Sequence, residues 1–147
     1  MTETTPQQTP SASHVKTYAG GCLCGAVRFE AELDLTGAVS RCNCTFCTKL
    51  GSAGYSVKPS AFRLLSGAES LSEYRKEGSP NHRAFCKHCG TQCYGAGNVP
   101  ELGGDFCSIN VNCLDGIDLS RLTYQYWDGR YDNWAAGSRG APWPLRG

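Results

Sequence analysis

The chain has 147 residues, which is most simply one domain, and its 14 basic and 13 acidic residues leave a net charge of +1. This balance gives no basic face or stripe, and no apolar run reaches the roughly 18 residues of a membrane span, so we expect neither nucleic acid nor a membrane as a partner. The chain is rich in cysteine, with ten in all.

The N-terminal stretch lacks the basic and apolar regions of a secretory signal, so we predict a cytoplasmic protein whose thiols stay reduced. Ten cysteines in that compartment indicate metal ligands; a disulfide-rich secreted domain is the alternative. Residues 1–16, rich in Thr, Gln, Pro and Ser, are predicted to be a disordered tail. We predict a domain over 17–136 and a loose C-terminal tail over 137–147.

Alternating apolar and polar residues predict strands over 27–34 and 106–113. Shorter strand candidates are 55–58, 62–65, 83–85, 92–94 and 122–127, with turn signals at Ser66-Gly67 and Asp115-Gly116. Short helical turns are predicted after Cys44 and over 118–122, where Asp118 is a candidate cap. The chain is therefore predicted to be mainly β, with small antiparallel sheets and few helical turns.

Seven cysteines fall into three tight clusters. In chain order they are Cys22-Leu23-Cys24-Gly25, Cys42-Asn43-Cys44-Thr45-Phe46-Cys47 and Cys86-Lys87-His88-Cys89-Gly90. Two cysteines separated by one residue on an extended segment share a face, and a Cys-x-x-Cys-Gly run is typical of a tight knuckle. The outer pairs together supply four thiolates, one tetrahedral set, and such a set selects zinc. We predict that this zinc clamps an early strand to a late hairpin; an iron–sulfur cluster, or buried cysteines without metal, are the alternatives.

The middle cluster has only three thiolates. Cys42 and Cys44 share a strand face, and a helical turn brings Cys47 to the same side. Either the fourth position of a bound metal is open to water or substrate, or a distant residue fills it, and spacing alone favours neither. Candidates for a distant ligand are His82, His88, Cys93, Cys107 and Cys113.

Other residues have simpler interpretations. Cys107 and Cys113 are in phase with apolar neighbours and are predicted core residues, while His88 is predicted to hydrogen-bond. An aromatic stretch surrounds Asp128-Gly129-Arg130 and comprises Tyr124, Tyr126, Trp127, Tyr131 and Trp134. It indicates either core or a cleft wall in which Arg130 anchors a carboxylate. No catalytic triad, phosphate loop or dinucleotide fingerprint is present.

The three cysteine motifs resemble those of the glutathione-dependent formaldehyde-activating enzyme (GFA) family, also called the CENP-V/GFA domain, over roughly Tyr18 to Trp134. The resemblance implies an Mss4-like fold, in which small β-sheets are clamped by zinc, for the predicted domain over 17–136. It also implies two Zn²⁺ per chain. A structural zinc would be held by Cys22, Cys24, Cys86 and Cys89, and a catalytic zinc by Cys42, Cys44 and Cys47.

The resemblance further implies a carbon–sulfur lyase that forms or breaks S-hydroxymethylglutathione, with a thiol such as glutathione and an aldehyde as partners. Three thiolates leave the second zinc site with a charge of about −1, which weakens its Lewis acidity. Its predicted role is therefore to hold and ionise a thiol rather than to polarise a carbonyl. Asn43 stands where the family often has His, and on an extended segment it would point away from the metal. A non-catalytic zinc-stabilised binding module and a glutathione carrier are the alternative functions.

Overall fold

The computed structural model describes residues 14–146, so residues 1–13 of the predicted N-terminal tail lie outside the described part. The strands are β1 (Lys16–Gly21), β2 (Arg28–Leu33), β3 (Ala38–Cys42), β4 (Gly54–Val57), β5 (Phe62–Ser66), β6 (Leu71–Arg75), β7 (His82–Cys86), β8 (Gln92–Val99), β9 (Gly104–Asn110) and β10 (Thr123–Trp127). The α-helix is α1 (Thr45–Leu50). Short 3-10 helices span Pro59–Ala61, Ala68–Ser70, Pro100–Leu102, Val111–Cys113, Leu119–Arg121, Gly129–Tyr131 and Trp134–Ala136. The predicted mainly β fold is confirmed.

The strands form two sheets. One has the order β1-β2-β5, and the other has the order β10-β3-β4-β9-β8-β7-β6. Every pairing is antiparallel except that of β10 with β3, which is parallel. The large sheet therefore places β3 near one end and β7 near the other.

The core lies between the two sheets. Alternate residues of β2 are buried, as the sequence pattern predicts, and Phe29 and Leu33 pack in one cluster with Tyr55 and Ile109 of the large sheet. Since successive strand residues point to opposite faces, the neighbours of Tyr55 and Ile109 point away from this core. That second face of the large sheet carries the site described below.

Two predicted elements differ in detail. β9 ends at Asn110 rather than continuing to Cys113, because the Asn110 side chain accepts a hydrogen bond from the Asn112 amide at 3.3 Å and turns the chain into a 3-10 helix. Cys107 and Cys113 are buried, as expected for core residues. The helical turns are found where predicted: α1 follows Cys44, and the Asp118 carboxylate accepts from the Ser120 amide at 3.1 Å.

The segment after residue 136, predicted to be a loose tail, makes specific contacts along its described part. Arg139 forms an antiparallel bridge with Tyr126 of β10, and the Trp143 indole donates to the Tyr126 carbonyl at 2.8 Å. Arg146 reaches the Asp128 carboxylate at 3.4 Å. No helix within residues 14–146 combines the length and apolar content needed to cross a bilayer.

Candidate functional site

Four cysteines from two distant parts of the chain meet in a cluster that we call the clamp: Cys22, Cys24, Cys86 and Cys89. Their sulfur atoms all lie within 4.8 Å of one another, and two of the Sγ–Sγ separations, from Cys24 to Cys22 and to Cys86, are 3.7 Å. Two sulfurs bound at about 2.3 Å to one tetrahedral zinc lie about 3.8 Å apart. The clamp therefore has the geometry of a four-thiolate metal site.

The local backbone explains how the clamp forms. Cys22 and Cys24 lie in a turn after β1, not on an extended segment as predicted, because the Gly25 amide donates to the Cys22 carbonyl at 3.2 Å. On the other side, the Gly90 amide donates to the Cys86 carbonyl at 2.7 Å, and Gly90 has a φ of +79°. Glycine adopts that left-handed conformation readily, which is the predicted reason for a glycine after the knuckle.

Hydrogen bonds to sulfur favour the ionised form of two clamp cysteines, Cys22 and Cys89. The Val27 amide donates to Cys22 Sγ at 3.3 Å, and the Thr91 hydroxyl lies 3.2 Å from Cys89 Sγ. The contact with Thr91 is the main reason that the pKa of Cys89 falls to about 5. The same hydroxyl accepts from the Leu23 amide at 3.2 Å, so it joins the two halves of the clamp.

Three further cysteines form a second cluster, which we call the open cluster: Cys42, Cys44 and Cys47. Cys42 ends β3, Cys44 is the N-cap of α1, and Cys47 lies in the first turn of that helix. The three sulfurs lie within 4.8 Å of one another. Backbone amides point at two of them: Cys44 N donates to Cys42 Sγ at 3.4 Å, and Cys47 N donates to Cys44 Sγ at 3.3 Å.

Within residues 14–146, no ligand atom of a further His, Cys, Asp or Glu lies within 4.8 Å of all three sulfurs of the open cluster. None of the residues considered as distant ligands joins the open cluster. His82 faces Glu73 at 3.4 Å, and His88 is an exposed residue of the clamp knuckle. Cys93, Cys107 and Cys113 are buried in the core cluster.

Ionisation of the three thiols is competitive. Hydrogen bonds from the thiols of Cys42 and Cys47 lower the pKa of Cys44 to about 2. The contact with Cys44 raises the pKa of Cys42, and the contacts with Cys42 and Cys44 raise the pKa of Cys47. One negative charge is thus shared among three sulfurs, because a second thiolate would be repelled by the first. A bound cation removes this conflict, and soft thiolate donors select zinc over harder ions. The donor set therefore fits a zinc ion.

A loop after β10 supports the open cluster. The Asn43 side chain donates to the Asp128 carboxylate at 2.7 Å and accepts from the Arg130 amide at 2.9 Å. The Arg130 guanidinium donates to the Asn43 carbonyl at 3.0 Å and to the Thr45 hydroxyl at 3.2 Å. Arg130 therefore fastens the middle motif and does not line the cleft, which is a correction to its interpretation as a carboxylate anchor.

Sequence reasoning missed the importance of Gly129. A Cβ atom at this position would lie 2.5 Å from Cys42 Sγ and 2.7 Å from the Trp134 ring. The backbone can approach the sulfur this closely only because glycine has no side chain. The sequence did contain a signal for this position, because Gly129 is a glycine inside an otherwise aromatic stretch.

The open cluster borders a cleft of about 910 Å³ on the outer face of the large sheet. All three cysteines line it, and Trp127 and Trp134 form part of its wall. Its floor consists of small strand residues, namely Ser40, Gly54, Ser56, Gly95 and Ser108. The cleft exists because these residues leave unfilled the space that larger side chains would occupy.

A second, smaller cavity of about 220 Å³ also touches Cys42 and Cys47. Pro142 and Trp143 from the C-terminal segment form part of its wall, together with Arg41. The open cluster is thus bordered by two cavities, of which only the larger one reaches all three sulfurs.

Two known proteins are similar to this chain. A Halomonas elongata protein, provisionally named a glutathione-dependent formaldehyde-activating enzyme, is 37% identical over 78 residues, which are 48% of this chain and 50% of that protein. The match therefore spans about half the length of this curated relative. The crystal structure of a Rhodobacter sphaeroides protein matches with a TM-score of 0.61 and 28% identity, covering 72% of this chain and 98% of that one.

Residues 17–130 match the family model described as "Glutathione-dependent formaldehyde-activating enzyme". This match includes both cysteine clusters and the loop that supports the open cluster. The chain belongs to the glutathione-dependent formaldehyde-activating enzyme family.

Proposed function

We propose that this protein is a carbon–sulfur lyase that forms or breaks a thiol–aldehyde adduct of the S-hydroxymethylglutathione type. The observation that carries the proposal is a cluster of three cysteines, without a fourth ligand from the described residues, that borders a cleft of about 910 Å³. This volume lies within the usual range of small-molecule sites, roughly 300–1,000 Å³. The family, and the name of the Halomonas relative, support glutathione and formaldehyde as the reactants.

We propose two Zn²⁺ ions per chain with different tasks. One is structural, held by Cys22, Cys24, Cys86 and Cys89, and the other serves the reaction, held by Cys42, Cys44 and Cys47. Zinc in the open cluster would supply a position at which an incoming thiol loses its proton near neutral pH. The three thiolates outweigh the charge of the ion, so we expect it to hold and ionise the thiol more than to polarise the aldehyde.

The reaction itself is balanced without any oxidant or reductant. A bond forms between the thiol sulfur and the carbonyl carbon, the second carbon–oxygen bond opens, and the thiol proton ends on the oxygen; the reverse reaction retraces these steps. The chain's contribution is to keep both reactants in the cleft beside the three sulfurs, which replaces a chance encounter with a positioned one. Trp127 and Trp134 line the same cleft.

The test uses the zinc-loaded protein with glutathione and formaldehyde, and follows exchange between the free reactants and their adduct by NMR. We expect the parent to accelerate exchange, and Cys44→Ser to stay folded with one zinc and without acceleration. Cys107→Ala removes a buried thiol outside both clusters and is the matched control, with catalysis retained.

Full catalysis by Cys44→Ser would overturn the proposal. If the parent binds glutathione but leaves the exchange rate unchanged, the protein is a glutathione carrier instead. If it binds two zinc ions but neither reactant, the domain is a zinc-stabilised binding module.

A further inference from the structure

A row of paired residues crosses the floor of the cleft from β4 to β7. Ser56 pairs with Ser108, Ser108 with Gly95, and Gly95 with Arg83. All four line the cleft. The first three are small, so Arg83 is the one member of this row with a long, charged side chain, and it stands at the far end of the sheet from β3.

The glycine beside Arg83 shapes the path of its side chain. A Cβ atom on Gly95 would lie 3.1 Å from the Arg83 Cδ and 3.2 Å from its Nη1. The Arg83 side chain therefore lies across the bare backbone of β8, in the space that a side chain at position 95 would take. It is held flat along the floor of the cleft.

Phe46 covers Arg83 from the other side. The Arg83 guanidinium carbon lies 4.9 Å from the centroid of the Phe46 ring, a cation–π distance, and Tyr74 packs against the same ring at 5.4 Å. Phe46 is the residue directly before Cys47, so this contact places Arg83 beside α1, the helix that carries Cys47. The guanidinium and the sulfurs of Cys44 and Cys47 border one cleft.

The charge of Arg83 is not compensated by the protein. Arg28, Arg63, Arg75 and Arg146 each pair with a carboxylate, whereas the Arg83 guanidinium forms no ion pair and no hydrogen bond with any described residue. Glu101 lines the same cleft but does not pair with it. A cation held against Phe46 and Gly95, with its donors unused, is prepared for an anion that enters the cleft.

We propose that Arg83 binds a carboxylate of the thiol substrate and makes the site selective for anionic thiols. This inference rests on the proposed function, and it adds a specificity-determining residue to it. A guanidinium binds a carboxylate through two parallel hydrogen bonds, which fixes orientation as well as position. Such an anchor also offsets the repulsion between an anionic thiol and the three thiolates of the open cluster.

The test compares two probes that carry the same thiol. Glutathione has two carboxylates, and its diester, with both carboxylates esterified, has none. Dissociation constants are measured by calorimetry with the zinc-loaded parent, Arg83→Gln and Arg83→Lys. Arg121→Gln, which removes an exposed arginine that does not line the cleft, controls for net charge.

We expect Arg83→Gln to weaken glutathione binding about 10- to 100-fold, the range for a charge-assisted hydrogen bond, and to leave diester binding unchanged. Arg83→Lys should restore part of the affinity, and Arg121→Gln should behave as the parent. Equal weakening for both probes, or no weakening for glutathione, would overturn the role of Arg83 while the proposed function stands. A parent that binds neither probe would overturn the proposed function and this inference together.

Discussion

The clamp and the open cluster are built from the same ligand type but differ in the length of chain that they join. Cys24 and Cys86 of the clamp are 62 positions apart, whereas the open cluster spans only residues 42–47. A metal that closes a long loop removes more conformational freedom from the unfolded chain than one that closes a short loop. The clamp is therefore suited to stability, and the open cluster can serve chemistry without supporting the fold.

The surroundings of the two clusters also differ, because the clamp lies partly in the core and the open cluster borders the cleft. Cys22 and Cys86 of the clamp are buried in the core cluster, and four sulfurs complete a tetrahedral set. None of the three cysteines of the open cluster is fully buried, and all of them border the cleft. Ligand number and the adjacent empty space, rather than ligand chemistry, separate the two sites.

The largest effect is expected from breaking the clamp. Cys24→Ser removes one of the four ligands that we propose for a structural zinc. Such an ion contributes about 10–16 kcal/mol, comparable to the ~5–15 kcal/mol stability of a whole domain. We expect the variant to lose its cooperative thermal transition in circular dichroism. Cys44→Ser is the control and should melt close to the parent; equal melting of all three proteins would remove the distinction between the clusters.

Stepwise metal removal should reveal the same difference in the unmodified protein. Zinc release is followed with a colorimetric chelator while circular dichroism reports the fold. We expect the open cluster to lose its metal first, with the spectrum unchanged, and the clamp to lose its metal only with unfolding. In Cys44→Ser only the second step should remain. A single concerted loss of both ions would contradict the independence of the two sites.

Gly129→Ala should damage the open cluster selectively. Its Cβ would lie 2.5 Å from Cys42 Sγ and 2.7 Å from the Trp134 ring, so the loop or the cysteine must move. We expect a loss of roughly 1–3 kcal/mol in unfolding free energy, as for other overpacked sites, and weaker metal binding at the open cluster. Gly140→Ala is the matched control, because its Cβ would meet no heavy atom within 4 Å. Equal unfolding free energies and equal metal affinities of the two variants would show that the close approach of Gly129 to Cys42 has no role.

A smaller effect is expected from Asn43→Ala. The change removes the hydrogen bonds that join the middle motif to Asp128 and to the Arg130 amide. Loss of such supporting contacts typically lowers metal affinity about 10- to 100-fold, and we expect this at the open cluster with the clamp unaffected. Asn98→Ala also removes an amide–carboxylate hydrogen bond, to Asp105 at 2.8 Å, but in neither cluster, and should match the parent. Competition titrations with a zinc indicator measure the zinc affinity of both variants.

Much of the fold and of both clusters could be predicted from the sequence. Alternation of apolar residues identified β2 and most of β9, and cysteine spacing identified the members of each cluster. Two strands, β1 and β6, were missed, and β3 was assumed only through the strand face assigned to Cys42 and Cys44. β6 carries alternation too weak to detect, because it is an edge strand whose residues are half-buried or exposed.

The residues around the open cluster could not be predicted because strand pairing positions them. Arg130 was the arginine considered as an anchor, since it lies within the aromatic stretch, yet its guanidinium is bound to the middle motif. Arg83 reaches the cleft only because β7 pairs with β8 opposite Gly95, which no local pattern reveals. The clash that makes Gly129 necessary likewise depends on the parallel pairing of β10 with β3.

The most direct test of the open cluster is zinc X-ray absorption spectroscopy of the fully loaded protein, with and without glutathione. Four sulfurs at the clamp and three at the open cluster predict an average of about 3.5 sulfurs per zinc. Glutathione should raise this average to about 4, because its thiol takes the remaining position. An average of about 4 before glutathione is added, or no change on its addition, would contradict an open site that receives the substrate thiol.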